Sequence, residues 1–403
     1  MRTVPIAISL LATWTAAALV AQSRFLPDSP GTWKPWTFRA YADHRRVLGA
    51  GPVAVKEVEA QLLRLNAIIE KTPGITNPVG FSIETSGDLS LGDNGLSARA
   101  GEPALTVRPL PASMGFGAFP VTEYGSGDTA KRSDTGETPH VYFFVNQLRH
   151  PLESARDSSV PEFEKLDADV VRLAAPQPDV FGLPRFGSSL VIKKSDAPIW
   201  IAVTFAETLD LVARGIEQHL TEQRDAVARV QAAYDNAKDP KKREERLAQH
   251  RKVAAVVKDP TFMEKMTKVE DEVARRADKE FLPNLTVVKE AAAKSEQGLA
   301  SVRTMAAGLS AADKAAPACY ASRDTVSISR FRRAPSSGCD PLVRPNWKLF
   351  NPALPRTAPQ VLTVWNWDQC LVPDRRVLHV GGCEANKRLL ESIDKAALLA
   401  WLQ

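Results

Sequence analysis

An α+β fold is what this chain predicts, and three changes of pattern along it carry the prediction. Residues 78–204 hold short runs in which apolar and polar side chains alternate, the period of a half-buried strand. At Thr204 the pattern switches abruptly to apolar stripes of helical spacing, which persist to about residue 315. Residues 316–403 return to short strand-like runs broken by prolines. The expected architecture is a strand-rich body, with an antiparallel or mixed sheet, built from residues 22–204 and 316–403. A long helical hairpin or bundle, residues 205–315, is inserted between them.

The first 21 residues read as an export leader. Arg2 supplies a basic start, Val4 to Ala21 is a short apolar stretch, and Ala21 offers a small residue for cleavage. Removal of 1–21 leaves a chain destined for the periplasm or the outside of the cell, where disulfides persist. After that leader, the longest apolar run, around Ile199–Phe205, falls far short of the roughly 20 residues a membrane helix needs. With 52 basic and 47 acidic side chains, the charge is too balanced to argue for a nucleic-acid partner.

Within the first body segment, 22–204, Trp33, Trp36 and Phe38 between prolines predict an extended segment lying on a folded surface. Val55, Val58, Leu62, Leu65 and Ile69 form one helical stripe that stops at Pro73-Gly74. Phe81 and Ile83 open a strand pattern. Gly87-Asp88 and Asp93-Asn94-Gly95 suggest turns around a short strand, Leu89–Leu91. Leu105–Val107, Val141–Val145, Leu190–Ile192 and Ile199–Val203 are further strand candidates. The polar stretch 125–139 reads as a loop.

Within 205–315, Thr204 and Glu207 have the spacing of a capping box. Leu209, Val212, Ile216, Leu220, Val227, Val230 and Tyr234 then mark one face. Asp239-Pro240 suits a fresh helix start. Thr261 and Glu264 suggest a second capping box, opening a stripe of Phe262, Met266, Val269, Val273 and Ala277. Leu285, Val288, Ala292, Ser295, Leu299, Val302, Ala306 and Leu309 alternate by three and four, a coiled-coil pattern. Ser310 and Asp313 have cap spacing again. Residues 206–315 carry 20 basic and 19 acidic side chains, so the outer face is mixed in sign. In 316–403, Val361–Trp367 and Arg376–Val380 are strand candidates, and Leu389 to Trp401 suggests a closing helix.

Four cysteines, Cys319, Cys339, Cys370 and Cys383, lie in this last part and lack the pairing of zinc ligands. They predict disulfides, and locality favours Cys319–Cys339 with Cys370–Cys383. A simple hairpin between the two strand candidates would hold Cys370 and Cys383 too far apart, whereas a tighter turn at Pro373-Asp374 removes that conflict. Arg323, Arg330, Arg332 and Arg333 fall between the first two cysteines and form a candidate anion-binding patch. Trp365 and Trp367 share one strand face, where core packing competes with stacking on a sugar ring.

No reactive centre emerges. None of the histidines forms a metal-ligand pair, Gly115-Phe-Gly117 lacks the third glycine of a dinucleotide loop, and no nucleophile elbow or Walker sequence occurs. No cofactor is implied. The leading expectation is a non-catalytic exported protein that binds or scaffolds another envelope or extracellular protein. Two alternatives stand beside it. One is an exported hydrolase with His140 or His150 as base and acids from loop 125–139. The other is a carbohydrate-binding protein using Trp365 and Trp367.

Overall fold

The computed structural model describes residues 24–91, 104–125, 130–134, 138–148, 170–173, 177–257, 259–321, 330–365 and 380–403. The leader at 1–21, the Asp93–Gly95 turn, His150, Arg323, Trp367, Cys370 and residues 376–379 of the Arg376–Val380 strand candidate lie outside them, as does part of loop 125–139, and Val380 itself opens a helix. Among the described residues, no helix is long and apolar enough to cross a membrane. The fold is α+β, with large mixed and antiparallel sheets and a long inserted helical hairpin. The chain divides into two compact units, both discontinuous in sequence. The first comprises 1–151, 177–196 and 350–403, and the second 152–176 and 197–349.

The first unit is built on an eight-stranded sheet. Its spatial order is Thr37–Arg39, Phe81–Leu89, Ala112–Pro120, His140–Val145, Val361–Trp365, Ser189–Lys193, Leu183–Phe186 and Gln177–Val180. Only the first pair is parallel. Val361–Trp365 therefore sits centrally, more than two hundred residues from its neighbour His140–Val145. On one face, the predicted stripe of helix Pro52–Glu70 buries Val58, Leu62, Leu65 and Ile69 against Ile83, Met114, Phe116 and Phe143. The closing segment adds Leu389, Leu390, Ile393 and Leu398 to the same core. It is two helices, Val380–Ser392 and Lys395–Trp401, because Asp394 caps the second by accepting from the Ala397 N–H. The extended aromatic segment packs as expected, with Trp33, Trp36 and Phe38 half-buried against this core.

Three strand expectations need correction here, the first being Leu89–Leu91, which is no separate strand because Leu89 ends the strand Phe81–Leu89. Gly87-Asp88 is not a turn but the interior of the nine-residue strand Phe81–Leu89. A Cβ at Gly87 would come within 2.7 Å of the Trp36 ring and 2.8 Å of Leu62 Cδ1, so the glycine is there for close packing. Leu105–Val107 is a turn, not a strand. The Val107 N–H bonds locally to the Ala104 carbonyl. The Leu105 and Arg108 carbonyls instead accept from Arg356, whose guanidinium also reaches the Leu48 carbonyl, all within 2.9 Å. Partial burial holds that guanidinium below its ordinary range.

Asn146 ties the same region together from inside. Fully buried and in the left-handed region at φ 58°, it donates its amide to the Ala358 and Leu110 carbonyls at 3.0 and 3.2 Å. Its side-chain oxygen accepts from the Gln360 N–H at 2.8 Å. Asn146→Ala should destabilise the first unit by about 3 kcal/mol, since it orphans buried backbone groups and raises the cost of positive φ. Asn146→Gly, which relieves φ, should cost less. Urea unfolding of both variants checks this, and equal stability of Asn146→Ala and wild type would refute it.

The second unit has a small antiparallel sheet. Asp340–Pro345 pairs with Trp200–Ala202, Ala318–Tyr320 and Val171–Arg172, and Ala318–Tyr320 pairs onward with Phe331–Arg333. Cys319 and Cys339 are joined by a disulfide, one of the two predicted pairings. Cys383, in the first unit, is also disulfide-bonded. From this sheet rises the hairpin. The Phe205 N–H donates to the Ala316 carbonyl and the Ala318 N–H to the Val203 carbonyl, both at 2.8 Å, so its two ends leave and re-enter side by side. Phe205, Leu209, Val212 and Val302 seat its root on Ala318, Tyr320, Phe331 and Leu342.

The disulfide closes a 20-residue separation on this thin core. Chain-entropy reasoning gives it about 3 kcal/mol. Oxidised protein, denatured and treated with an alkylating reagent, should show no labelled cysteine by mass. Reduction should lower the urea midpoint of the second unit while leaving the distal helices folded. Two or more labelled cysteines before reduction would overturn the prediction.

Candidate interaction surface

The hairpin is the largest feature that the small sheet does not cover. Its outbound arm is helix Phe205–Lys238 followed by helix Pro240–Ala254. Its return arm runs Phe262–Arg276, a π turn Ala277–Phe281, then Leu282–Gly308. At 1.5 Å per residue the unbroken return arm spans ~70 Å. Thr204 starts the outbound arm by accepting from the Glu207 N–H. The Glu207 carboxylate does not complete the box but pairs with Arg344 at 2.7 Å. Asp239 caps the second outbound helix by accepting from the Lys241 and Lys242 N–H groups.

Side-chain pairs fix the arms as antiparallel neighbours. Glu217 meets Arg303, Arg224 meets Glu296 at 2.7 Å, Gln231 meets Lys289 at 3.1 Å and Lys238 meets Asp278 at 2.7 Å. The steps are seven residues throughout on the outbound arm. On the return arm they are seven, seven and then eleven, and the long step contains the π turn. The outbound arm breaks at the same level, where Asp239 is extended at ψ 117°. Between the arms Leu220, Ala292 and Leu299 are buried, with Ile216 packed against them.

Beyond that level the seam changes character. The expected stripe places Val269 inside, but Val269 is 47% exposed and its neighbour Glu270 takes the inner position at 4%. Glu270 accepts from Arg246 Nε at 2.8 Å and faces His250 Nε2 at 3.4 Å, while Arg243 pairs with Asp271 at 2.6 Å. Arg246 and His250 lie one turn apart on the same face, so both reach one carboxylate. Leu247 is the one apolar side chain the second outbound helix buries. The Thr261 capping box does not form. Asp259 instead accepts from the Thr261 N–H and hydroxyl at 2.8 and 2.7 Å. The Thr261 hydroxyl and then Lys265 pull the Asp259 carboxyl down to about 2.

Three valines at the turn that joins the arms are exposed. Val256 is 82% exposed, Val253 48% and Val257 39%, with Phe262 and Met263 half-buried just beyond. Around it the charge is uneven. Residues 240–276 hold 11 basic and 7 acidic side chains, whereas the rest of 206–315 holds 9 and 12. The balanced total of the helical segment conceals a positive distal end and a negative stem.

The other predicted site residues that are described are placed as follows. Arg330 donates to the Tyr320 hydroxyl at 2.7 Å, Arg333 pairs with Asp313, and Arg332 stands opposite Cys319 in the sheet. In the first unit, His140 Nδ1 lies 2.9 Å from the Thr138 carbonyl, and its ring sits between Phe119 and Tyr142. Gly117 leaves room for that ring, since a Cβ there would lie 2.7 Å from His140 Nε2. Trp365 packs on Tyr142 and Phe144, with centroids 5.8 and 6.1 Å apart. Asp88, expected in a turn, is instead a titratable group within the strand Phe81–Leu89. Burial pushes its carboxyl up, against the Ser113 hydrogen bond and the charges of His44 and Arg39. Among the described residues, no group of three His, Cys, Asp or Glu side chains is placed to hold a metal ion.

No family model, curated protein or solved structure matches this chain.

Arg246→Leu would leave the Glu270 carboxylate buried without its main partner, at a cost of about 3 kcal/mol. Replacing both residues with leucine should restore most of that loss. Hydrogen exchange of the distal helices reads the effect locally, and unchanged protection in Arg246→Leu would sink the claim.

Proposed function

We propose that this chain is an exported, non-catalytic protein of the cell envelope that binds or scaffolds a partner, with the helical hairpin as its binding arm. The observation that carries the reading is the hairpin itself. It is closed at its neck by backbone hydrogen bonds, rooted on a small sheet beside a disulfide, and left with an apolar, positively charged end. A long two-helix arm buries little apolar surface for its length and contributes reach rather than core. Disulfides favour an oxidising compartment, which supports export and agrees with the leader read from residues 1–21.

Photo-crosslinkers introduced one at a time test the reading, at exposed Glu222 and Lys252 on the hairpin and at exposed Val53 in the first unit. After irradiation in the native envelope fraction, adducts are identified by mass, whether protein or lipid. Adducts should form from the hairpin positions. Adducts from Val53 alone, or from none of the three, would overturn the assignment of the hairpin as the binding arm.

A further inference from the structure

We infer that the hairpin tip docks on an anionic lipid surface, with Val253, Val256 and Val257 entering the headgroup layer and nearby Arg251, Lys252 and Lys265 meeting lipid phosphates. The inference names a partner class for the arm proposed above and so rests on that reading.

Three features of the tip point to this occupant. The first is the position of the apolar side chains. They occupy the last turn of one helix and the connection after it, at the extremity of the arm, where Val256 is the most exposed large apolar residue among those described. An end of this kind offers valines to a soft layer, and amphipathic segments enter a bilayer interface by burying such apolar area. The second is charge. The excess of four basic side chains in 240–276 lies at the tip end of the arm, while the stem is acidic by three. An anionic surface attracts the tip and repels the stem, which sets an end-on approach. The third is availability. The ion pairs that hold Arg251 to Glu244 and Lys265 to the half-buried Asp259 leave both cations exposed and are worth little, so phosphates can replace the carboxylates. Lys252 is exposed at the same turn. A second copy of the chain meeting tip to tip would set like charge against like. A protein partner remains an outcome of the test.

The test uses the full-length oxidised protein and co-sedimentation with vesicles of phosphatidylcholine, alone or with about one third phosphatidylglycerol. Binding is expected to the mixed vesicles and not to pure phosphatidylcholine, and it should fall steeply as salt rises, because the attraction is screened. Val256→Glu should weaken vesicle partitioning about tenfold, from lost apolar burial and added repulsion. Lys252→Glu should weaken it in the same direction. Val287→Glu, on the stem where Val287 is 62% exposed, should bind as wild type does. Circular dichroism of each variant verifies that the helices are intact, which is expected because the altered side chains are exposed. Failure of the wild type to bind mixed vesicles, or equal binding by Val256→Glu, overturns the lipid assignment. If Lys252 crosslinks to a protein in the envelope fraction while vesicles are ignored, the binding arm stands and the lipid does not.

Discussion

Everything between Thr204 and Ala316 depends on one constraint, the neck at which the chain leaves the small sheet and returns to it. Closing so long an excursion carries an entropic cost, although that cost grows only logarithmically with length. Two backbone hydrogen bonds, from Phe205 to Ala316 and from Ala318 to Val203, hold the ends together, and the Val203 N–H anchors them to the Leu342 carbonyl of the sheet. Hydrogen bonds of this kind are individually modest. They act with the buried contacts of Phe205, Leu209 and Val302 on the sheet, and with the Arg344–Glu207 pair beside them. The disulfide joins a strand of that sheet to the residue just before the next, so the base on which the neck rests is itself constrained.

Once the neck fixes where the arms start, their register follows from packing. The ladder from Glu217–Arg303 to Lys238–Asp278 is exposed and supplies little energy, but wrong registers would bring like charges together. The break at Asp239 and the π turn at Ala277–Phe281 fall opposite one another. An irregularity in one helix of an antiparallel pair shifts its side chains relative to the partner, and a matching irregularity in the other restores contact. The eleven-residue step on the return arm is how that compensation reads in sequence.

The α+β class was legible because the change from period two to helical spacing at Thr204 is a strong local signal. The cap at Thr204, the restart at Asp239-Pro240 and the Ser310 cap could also be read, since each depends on residues within three positions of one another. What depends on distant contacts could not. Gly87 looks like a turn residue until Trp36 and Leu62 are placed on it. Leu105–Val107 looks like a strand until Arg356 takes the carbonyls of Leu105 and of Arg108 just beyond it. The division of the strand-like sequence between two units also leaves no local trace, because Ile199–Val203 and Leu190–Ile192 read alike and yet belong to different sheets. At the candidate surface the stripe of Phe262, Met266, Val273 and Ala277 faces inward as read, but Val269 gives up its place to Glu270. Val269 and Glu270 are adjacent, and periodicity alone favours the valine for the inside.

That exchange has a physical consequence for the distal seam. Placing Glu270, Arg246 and His250 in the seam replaces apolar contacts by an ion cluster, which adds little net stability for its burial but tolerates few alternative pairings. Val269 then lies outside, and the valines of the turn are exposed as well. Apolar side chains in place of this cluster would have made the distal seam at least as stable. The observed arrangement gives up some internal burial, keeps the register through directional charge pairs, and leaves apolar side chains where only something beyond this pair of helices can cover them. The stem, where Leu220, Ala292 and Leu299 are buried between the arms, follows the opposite rule. The change of rule coincides with the break and the π turn, so one arm holds a self-sufficient stem and a distal part whose apolar surface is incomplete on its own.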